Sequence, residues 1–182
     1  MDERNGSTPA ADQQAVWLTE PDNSEWITGA GYRARLIRHP YFLHLNGYIE
    51  VPAEHPLHGV SYNQASNQAS PFLTNALRRR MERPLGDQPS FAALVAVVLG
   101  GDLEARPDVV FEVHGGLTFS GSWTIAGPWP EIKTEWWFGF DTGHCDDYQP
   151  GMPSRLTGGT YRDIAYVFAE CERLAAQLKE IE

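Results

Sequence analysis

Cysteine is scarce, positive charge is short, and no hydrophobic run is long. Only Cys145 and Cys171 occur. Two thiols do not make a disulfide framework, so a reducing, cytoplasmic setting is expected. Residues 1–30 carry no apolar signal-peptide core. The longest apolar run, Phe91 to Leu99, is far too short to span a bilayer. A soluble intracellular protein without a membrane partner is the expectation. Lys and Arg number 14 against 24 Asp and Glu, a net charge of −10. Duplex nucleic acid, which needs a basic surface, is excluded as a partner. A small nucleotide held in a local basic pocket is not.

What is present is globular. The 182 residues are 42% hydrophobic and 21% charged, enough for one domain with a real core. Residues 1–14 are polar and read as a disordered leader, leaving 15–182 as a single domain. Val16 to Thr28, with Trp17 and Trp26, fits a short strand or a tryptophan-packed loop. Arg33–Arg38 and Tyr41–Val51 read as strands. In the second, Leu43, Leu45, Ile49 and Val51 share one face, and His44, Asn46, Tyr48 and Glu50 the other. Val109–Phe119 reads as another strand, and Ile132–Asp141 as a fourth. Ser70-Pro71 opens a helix that Pro84 stops, with apolar spacing at Phe72, Leu73, Ala76, Leu77 and Met81. Phe91–Leu99, closed by Gly100-Gly101, suits a short buried helix or a buried strand. A last helix starts at Thr160, with Asp163 completing a capping box and an apolar stripe through Ile164, Val167, Cys171, Leu174 and Leu178. The fold class is α+β: a mostly antiparallel sheet with two or three helices on one side.

Trp136-Trp137-Phe138-Gly139-Phe140-Asp141-Thr142-Gly143-His144-Cys145-Asp146-Asp147 is the densest chemistry in the chain. An aromatic strand runs into a turn carrying an imidazole, a thiol and three carboxylates. Rigid scaffolds place chemistry at such strand ends. Trp136, Phe138 and Phe140 form the core face, and Glu135, Trp137 and Asp141 the other. Ordinary turn chemistry explains Asp141-Thr-Gly equally well.

Three strands thus offer polar faces: His44, Asn46, Tyr48 and Glu50; Glu112, His114 and Thr118; Glu135 and Asp141. A half-solvated sheet does this without function. The glycines at 115, 116 and 139 remove side chains from that surface and leave room for a ligand. Whether His114 meets Asp141 depends on register. With Phe119 opposite Ile132, His114 faces Trp137. With a longer connection it faces Asp141. Then His114, Asp141 and His144 can share a divalent ion, zinc or manganese or magnesium, with Asp146 or Glu112 as further ligand or base. Without metal, His114 serves as a general base oriented by Asp141. Cys145 is a nucleophile only if its thiolate is stabilised, and nothing marks it so. His55 and His58, three apart in the loop after Pro52, suit a metal or a turn. Arg78, Arg79, Arg80 and Arg83 are the one basic cluster, fit to grip phosphate or to balance nearby acids.

Three segments together carry a resemblance: Gly47-Tyr48 to Pro52 with His55-Pro56-Leu57-His58-Gly59; Val113-His114-Gly115-Gly116-Leu117-Thr118-Phe119; and Trp136 to Asp141 with His144 and Asp146. Along 44–59 and 109–180 the chain resembles a family of small phage and prophage proteins, the Tyr161-Arg162-Asp163 helix start included. The resemblance implies a viral origin, hence a host-cell cytoplasm, and singles out His55, His114, Asp141, His144 and Asp146. It supplies no reaction. Where the family has a small residue and Gly-Asp, this chain has Cys145-Asp146-Asp147, so either Asp146 or Asp147 matches the family's acid.

The leading expectation is a metal-assisted hydrolase of a small phosphorylated or nucleotide-like substrate. His114, Asp141, His144 and Glu112 would act or bind metal, with Asp146 as a further ligand. Tyr48, His55, Thr118, Trp137, Arg78 and Arg79 would hold the substrate. The alternatives are a binding protein that sequesters a host nucleotide signal, and a structural or interaction module. The expected partner is a small molecule, with self-association left open.

Overall fold

The structure is a computed structural model that describes residues 16–65, 70–81, 105–124, 134–152 and 159–181. The leader, the Phe91–Leu99 run and Arg83 lie outside the described residues. Five strands form one antiparallel sheet: β1 (Asn23–Ile27), β2 (Arg33–Arg38), β3 (Leu45–Val51), β4 (Phe119–Thr124) and β5 (Thr134–Asp141). Their order is β1-β2-β3-β5-β4. Three helices accompany them: α1 (Ser70–Met81), α2, the single turn Pro107–Val110, and α3 (Ile164–Lys179). The α+β expectation holds. No helix among the described residues is long and apolar enough to cross a membrane.

Alternation in sequence becomes the two faces of the sheet. Leu36, Leu45, Ile49, Phe138 and Phe140 are at most 1% exposed and pack on Val167, Cys171, Leu174 and Leu178 of α3. Full burial of such a side chain is worth roughly 1.5–3 kcal/mol, so this seam carries most of the fold's cohesion. On the opposite face Arg33 and Arg35 lie over the Trp137 ring at 5.1 and 5.2 Å, and Trp123 packs beside it at 5.2 Å. Trp137 therefore points away from the core and is still fully buried.

Three expectations change at the ends of elements. β3 begins at Leu45, not Tyr41. Residues 39–44 close on themselves instead, with His39 N–H donating to His44 O at 2.8 Å and Leu43 at φ +61°. Val109–Phe119 is not one strand. Pro107 starts a helical turn, and the chain after it spends its N–H groups on α3 side chains. The Glu112 and His114 N–H groups donate to Gln177 Oε1 and Glu170 Oε2, each at 2.7 Å. Only at Phe119 does it join the sheet. The last helix starts at Ile164 with Asp163 as its N-cap, accepting from Tyr166 N–H at 2.8 Å. Thr160 instead forms a parallel bridge with Asp147.

Candidate functional site

β4 pairs with β5 so that Phe119 faces Gly139. The strand begins only at Phe119. Before it the chain turns at Gly115-Gly116, with the Gly116 N–H donating to Val113 O at 2.9 Å. This turn sets His114 against His144 and not against either partner expected from sequence. The glycine turn makes the meeting feasible. Gly115 has φ +65°, and a Cβ there would sit 2.0 Å from His144 Cε1. The two imidazoles stand edge to face with centroids 5.1 Å apart. The space left by Gly115 is thus filled by His144, and the space left by Gly139 by the Tyr48 ring. Neither glycine opens room for a ligand.

Asp147 completes the corner. His114 Nε2 lies 2.7 Å from Asp147 Oδ2. The His144 main-chain N–H donates to the same oxygen at 3.1 Å, and its ring Nδ1 lies 3.7 Å away. Arg162 Nε donates to Asp147 Oδ1 at 2.8 Å. Burial opposes ionisation of Asp147, but the hydrogen bonds from His114, His144 and Arg162 outweigh it and hold the carboxyl well below its usual range. The adjacent Asp147 carboxylate in turn raises the His144 imidazole above its usual pKa, against partial burial. His114 and Asp147 are buried, while the His144 side chain is 35% exposed. Among the described residues His144 is the most exposed member of the corner.

One ligand atom from each of His114, His144 and Asp147 can be chosen so that all lie within 4.8 Å of one another. This buried group can hold a metal ion. Two imidazoles and a carboxylate are a common donor set for transition metals, with a further position left for water or substrate. His114 Nδ1 lies 2.9 Å from the Tyr166 hydroxyl. A hydroxyl both donates and accepts. It can donate to Nδ1 while Nε2–H faces Asp147, and accept from Nδ1–H if Nε2 turns to a metal. Tyr166 and Arg162 are thus placed as the outer supports that orient metal ligands.

A cleft of about 520 Å³ adjoins the corner, lined by His39, Phe42, His44, Asn46, Tyr48, Thr118, Phe119, Asp141, Gly143 and Gln149 among others. Asp141 belongs to both regions: its Oδ1 accepts the Gly143 N–H at 2.9 Å and lies 3.9 Å from His144 Nδ1. Burial lowers the His44 imidazole below its usual pKa, outweighing the raising effect of Asp141.

The other residues singled out from sequence fall in different places. Asp146 is exposed, and it is Asp147 that enters the corner. Glu112 lines a small pocket with Arg79 and Gln177. Arg79 donates to Glu180 O at 3.2 Å, beyond the C-terminus of α3. Tyr166 lies in the first turn of that helix, and fourteen residues of helical rise separate the two by roughly 21 Å. Arg78 and Arg80 have no described side chains. Trp137 is sealed beneath Arg33 and Arg35. His55 is buried in a turn, accepting from Leu57 N–H at 3.1 Å and lying 3.1 Å from Leu178 O. His58 Nδ1 lies 2.7 Å from Val51 O. Tyr48 and Thr118 line the cleft. His39, His44, Arg162 and Tyr166 were not singled out. His44 stood on a polar face from the start and His39 acts through near neighbours, stacking on Phe42 and His44, but Arg162 and Tyr166 only acquire roles through contacts distant in sequence.

Comparison of the chain with protein-family models, with curated proteins and with solved structures found no match to any of them.

Proposed function

We propose that the protein is a phage-type metal-assisted hydrolase acting on a small nucleotide-like substrate. The observation that carries this reading is the corner itself: two imidazoles and a carboxylate drawn from separate segments, with the partly exposed His144 next in sequence to Gly143, which lines a cleft. His114, His144 and Asp147 would hold the metal, and imidazole-rich sets suit zinc better than magnesium. The metal would supply a water acidified enough to act as nucleophile near neutral pH. Tyr166 fixes the His114 ring, Arg162 fixes the carboxylate, and Asp141 stands where it can accept a proton beside His144. Arg79 plays no part in this reading, because it lies at the far end of α3.

A second reading has its own support. Both Asp147 oxygens already accept hydrogen bonds from within the chain. A carboxylate so fully engaged suits a protein that binds a nucleotide signal and leaves it intact. Metal analysis of protein purified without chelator separates the two. The hydrolase reading expects stoichiometric metal that His144→Ala and Asp147→Asn remove, and metal-dependent turnover across a nucleotide panel. Metal-free protein that folds normally and returns a bound nucleotide unchanged would favour the second.

A further inference from the structure

The cleft beside the corner carries an inference about what enters it, resting on the reading above only in taking the cleft as the ligand site. Its walls are aromatic. Phe42, His39 and His44 stack in parallel, with His39 centroids 4.8 and 4.9 Å from the other two. Tyr48 and Phe119 stand across from one another edge to face at 5.5 Å. The Phe42 ring is 41% exposed at the rim. The turn that holds this stack is a strained one, since Leu43, a bulky residue, sits at φ +61°. Non-glycine residues in that region persist where surrounding structure enforces them, and they gather at ligand clamps.

The floor is polar and acidic. Asn46 and Asp141 are direct cross-strand partners, so their side chains stand next to each other on one face. Asp141 accepts one N–H within the chain, on Oδ1, which leaves Oδ2 and the second lone pair of Oδ1 for a ligand. Asn46 Oδ1 and His44 Nδ1 have no hydrogen-bond partner among the described residues, and His44 is 6% exposed. Among the described residues no Lys or Arg lines the cleft, and Asp141 is the one carboxylate.

We infer that the cleft takes a planar heteroaromatic ring whose edge presents adjacent N–H donors, as guanine does, and that it does not itself grip a phosphate. Aromatic walls hold such a ring by stacking. A carboxylate accepts two neighbouring donors at once, and a site built this way rejects a ring that lacks them. The volume is of ordinary size for a small-molecule site. An anionic group gains nothing from this lining and is left to the corner or to solvent.

Calorimetric titration of the protein with guanosine, adenosine and inorganic phosphate tests this, on chelator-treated and on zinc-loaded samples. Guanosine is expected to bind both samples alike, with adenosine roughly 10- to 100-fold weaker. Phosphate is expected not to bind the chelated sample. Asp141→Asn keeps an oxygen for the Gly143 N–H and is expected to weaken guanosine by about the same factor. Phe42→Ala, at an exposed position, is expected to weaken guanosine and adenosine together. Phosphate binding to chelated protein, guanosine and adenosine binding equally, or guanosine binding unchanged in Asp141→Asn would each overturn the inference. Guanosine bound by a protein that takes no metal sinks the hydrolase reading alone. Metal-dependent turnover without guanosine binding sinks this inference alone.

Discussion

Two buried polar networks meet the start of α3, and they are built differently. In one, Arg38 is the hub. Its guanidinium donates to Asp22 Oδ1 at 2.8 Å, to Leu43 O at 2.9 Å and to the Tyr161 hydroxyl at 2.8 Å. Tyr161 donates to Glu20 Oε2 at 2.6 Å, and Glu20 Oε1 accepts the Ile164 N–H at 2.8 Å. In the other, Asp147 is the hub for His114, His144 and Arg162. Tyr161 and Arg162 are neighbours in sequence and serve different networks. The first is sealed at its hub: the Arg38 and Glu20 side chains are 4% and 7% exposed, and the Asp22 carboxylate reaches solvent with its hydrogen bond to Arg38 already made. The second opens through His144, whose Nδ1 has no hydrogen-bond partner among the described residues. A closed network fastens chain segments together. An open one with an unspent nitrogen is where a ligand can act.

The largest effect expected from that contrast is on stability. Arg38→Met removes the cation and leaves Glu20 buried without it. Removal of one partner from a buried pair costs about 3–5 kcal/mol. A urea midpoint lowered to match, with metal content unchanged in the folded protein, keeps the networks separate. Loss of metal in the same variant would merge them. Next comes Tyr166→Phe, which removes the support of His114 while leaving the core ring in place. Metal affinity is expected to fall roughly 10- to 100-fold, read by competition with a chromogenic chelator, with little change in midpoint. Gly115→Ala costs less stability than Arg38→Met. A side chain at φ +65° costs about 1–2 kcal/mol, and its Cβ would displace the His144 ring. A modest fall in melting temperature should accompany complete loss of the metal. Retained metal would mean that His144 is not a ligand.

The same contrast explains what could be read from the chain alone. Period-two alternation marks the core face of β3 and β5, because Leu45, Ile49, Phe138 and Phe140 all enter the core cluster that α3 shares. The apolar stripe of α3 is equally plain. The corner was only half legible. His114 and His144 stand out as imidazoles beside glycines, yet their meeting depends on the turn at Gly115-Gly116 and on the Glu170 carboxylate that takes the His114 N–H, which local patterning does not specify. Asp147 and Asp146 are neighbours in one turn. Only the bridge from Asp147 to Thr160 turns the first inward. Val109–Val113 alternates like a strand, but Gln177 and Glu170 take the N–H groups of Glu112 and His114. Side chains from a distant helix thereby override a local pattern.

The smallest expected effect separates two histidines by sign. Burial lowers the His44 pKa in the folded state. Above the unfolded value of about 6.5, His44 is neutral in both states and the fold is unpenalised. As pH falls through that value toward the folded pKa, the unfolded chain takes up the proton first, and stability drops. His144 runs the other way in metal-free protein. Its folded pKa is raised by Asp147, so its contribution is full below about 6.5 and fades as pH rises through the folded pKa. Denaturation curves of chelated protein at about pH 7.5 and about pH 5.5 resolve the two. His44→Phe keeps a ring against His39 and should remove the acid-side loss. His144→Ala should deepen the net loss on acidification, because the opposing gain is gone. If His44→Phe leaves the slope as it was, His44 is not held neutral in the cleft, and the wall of the closed turn is as open to protons as His144 is.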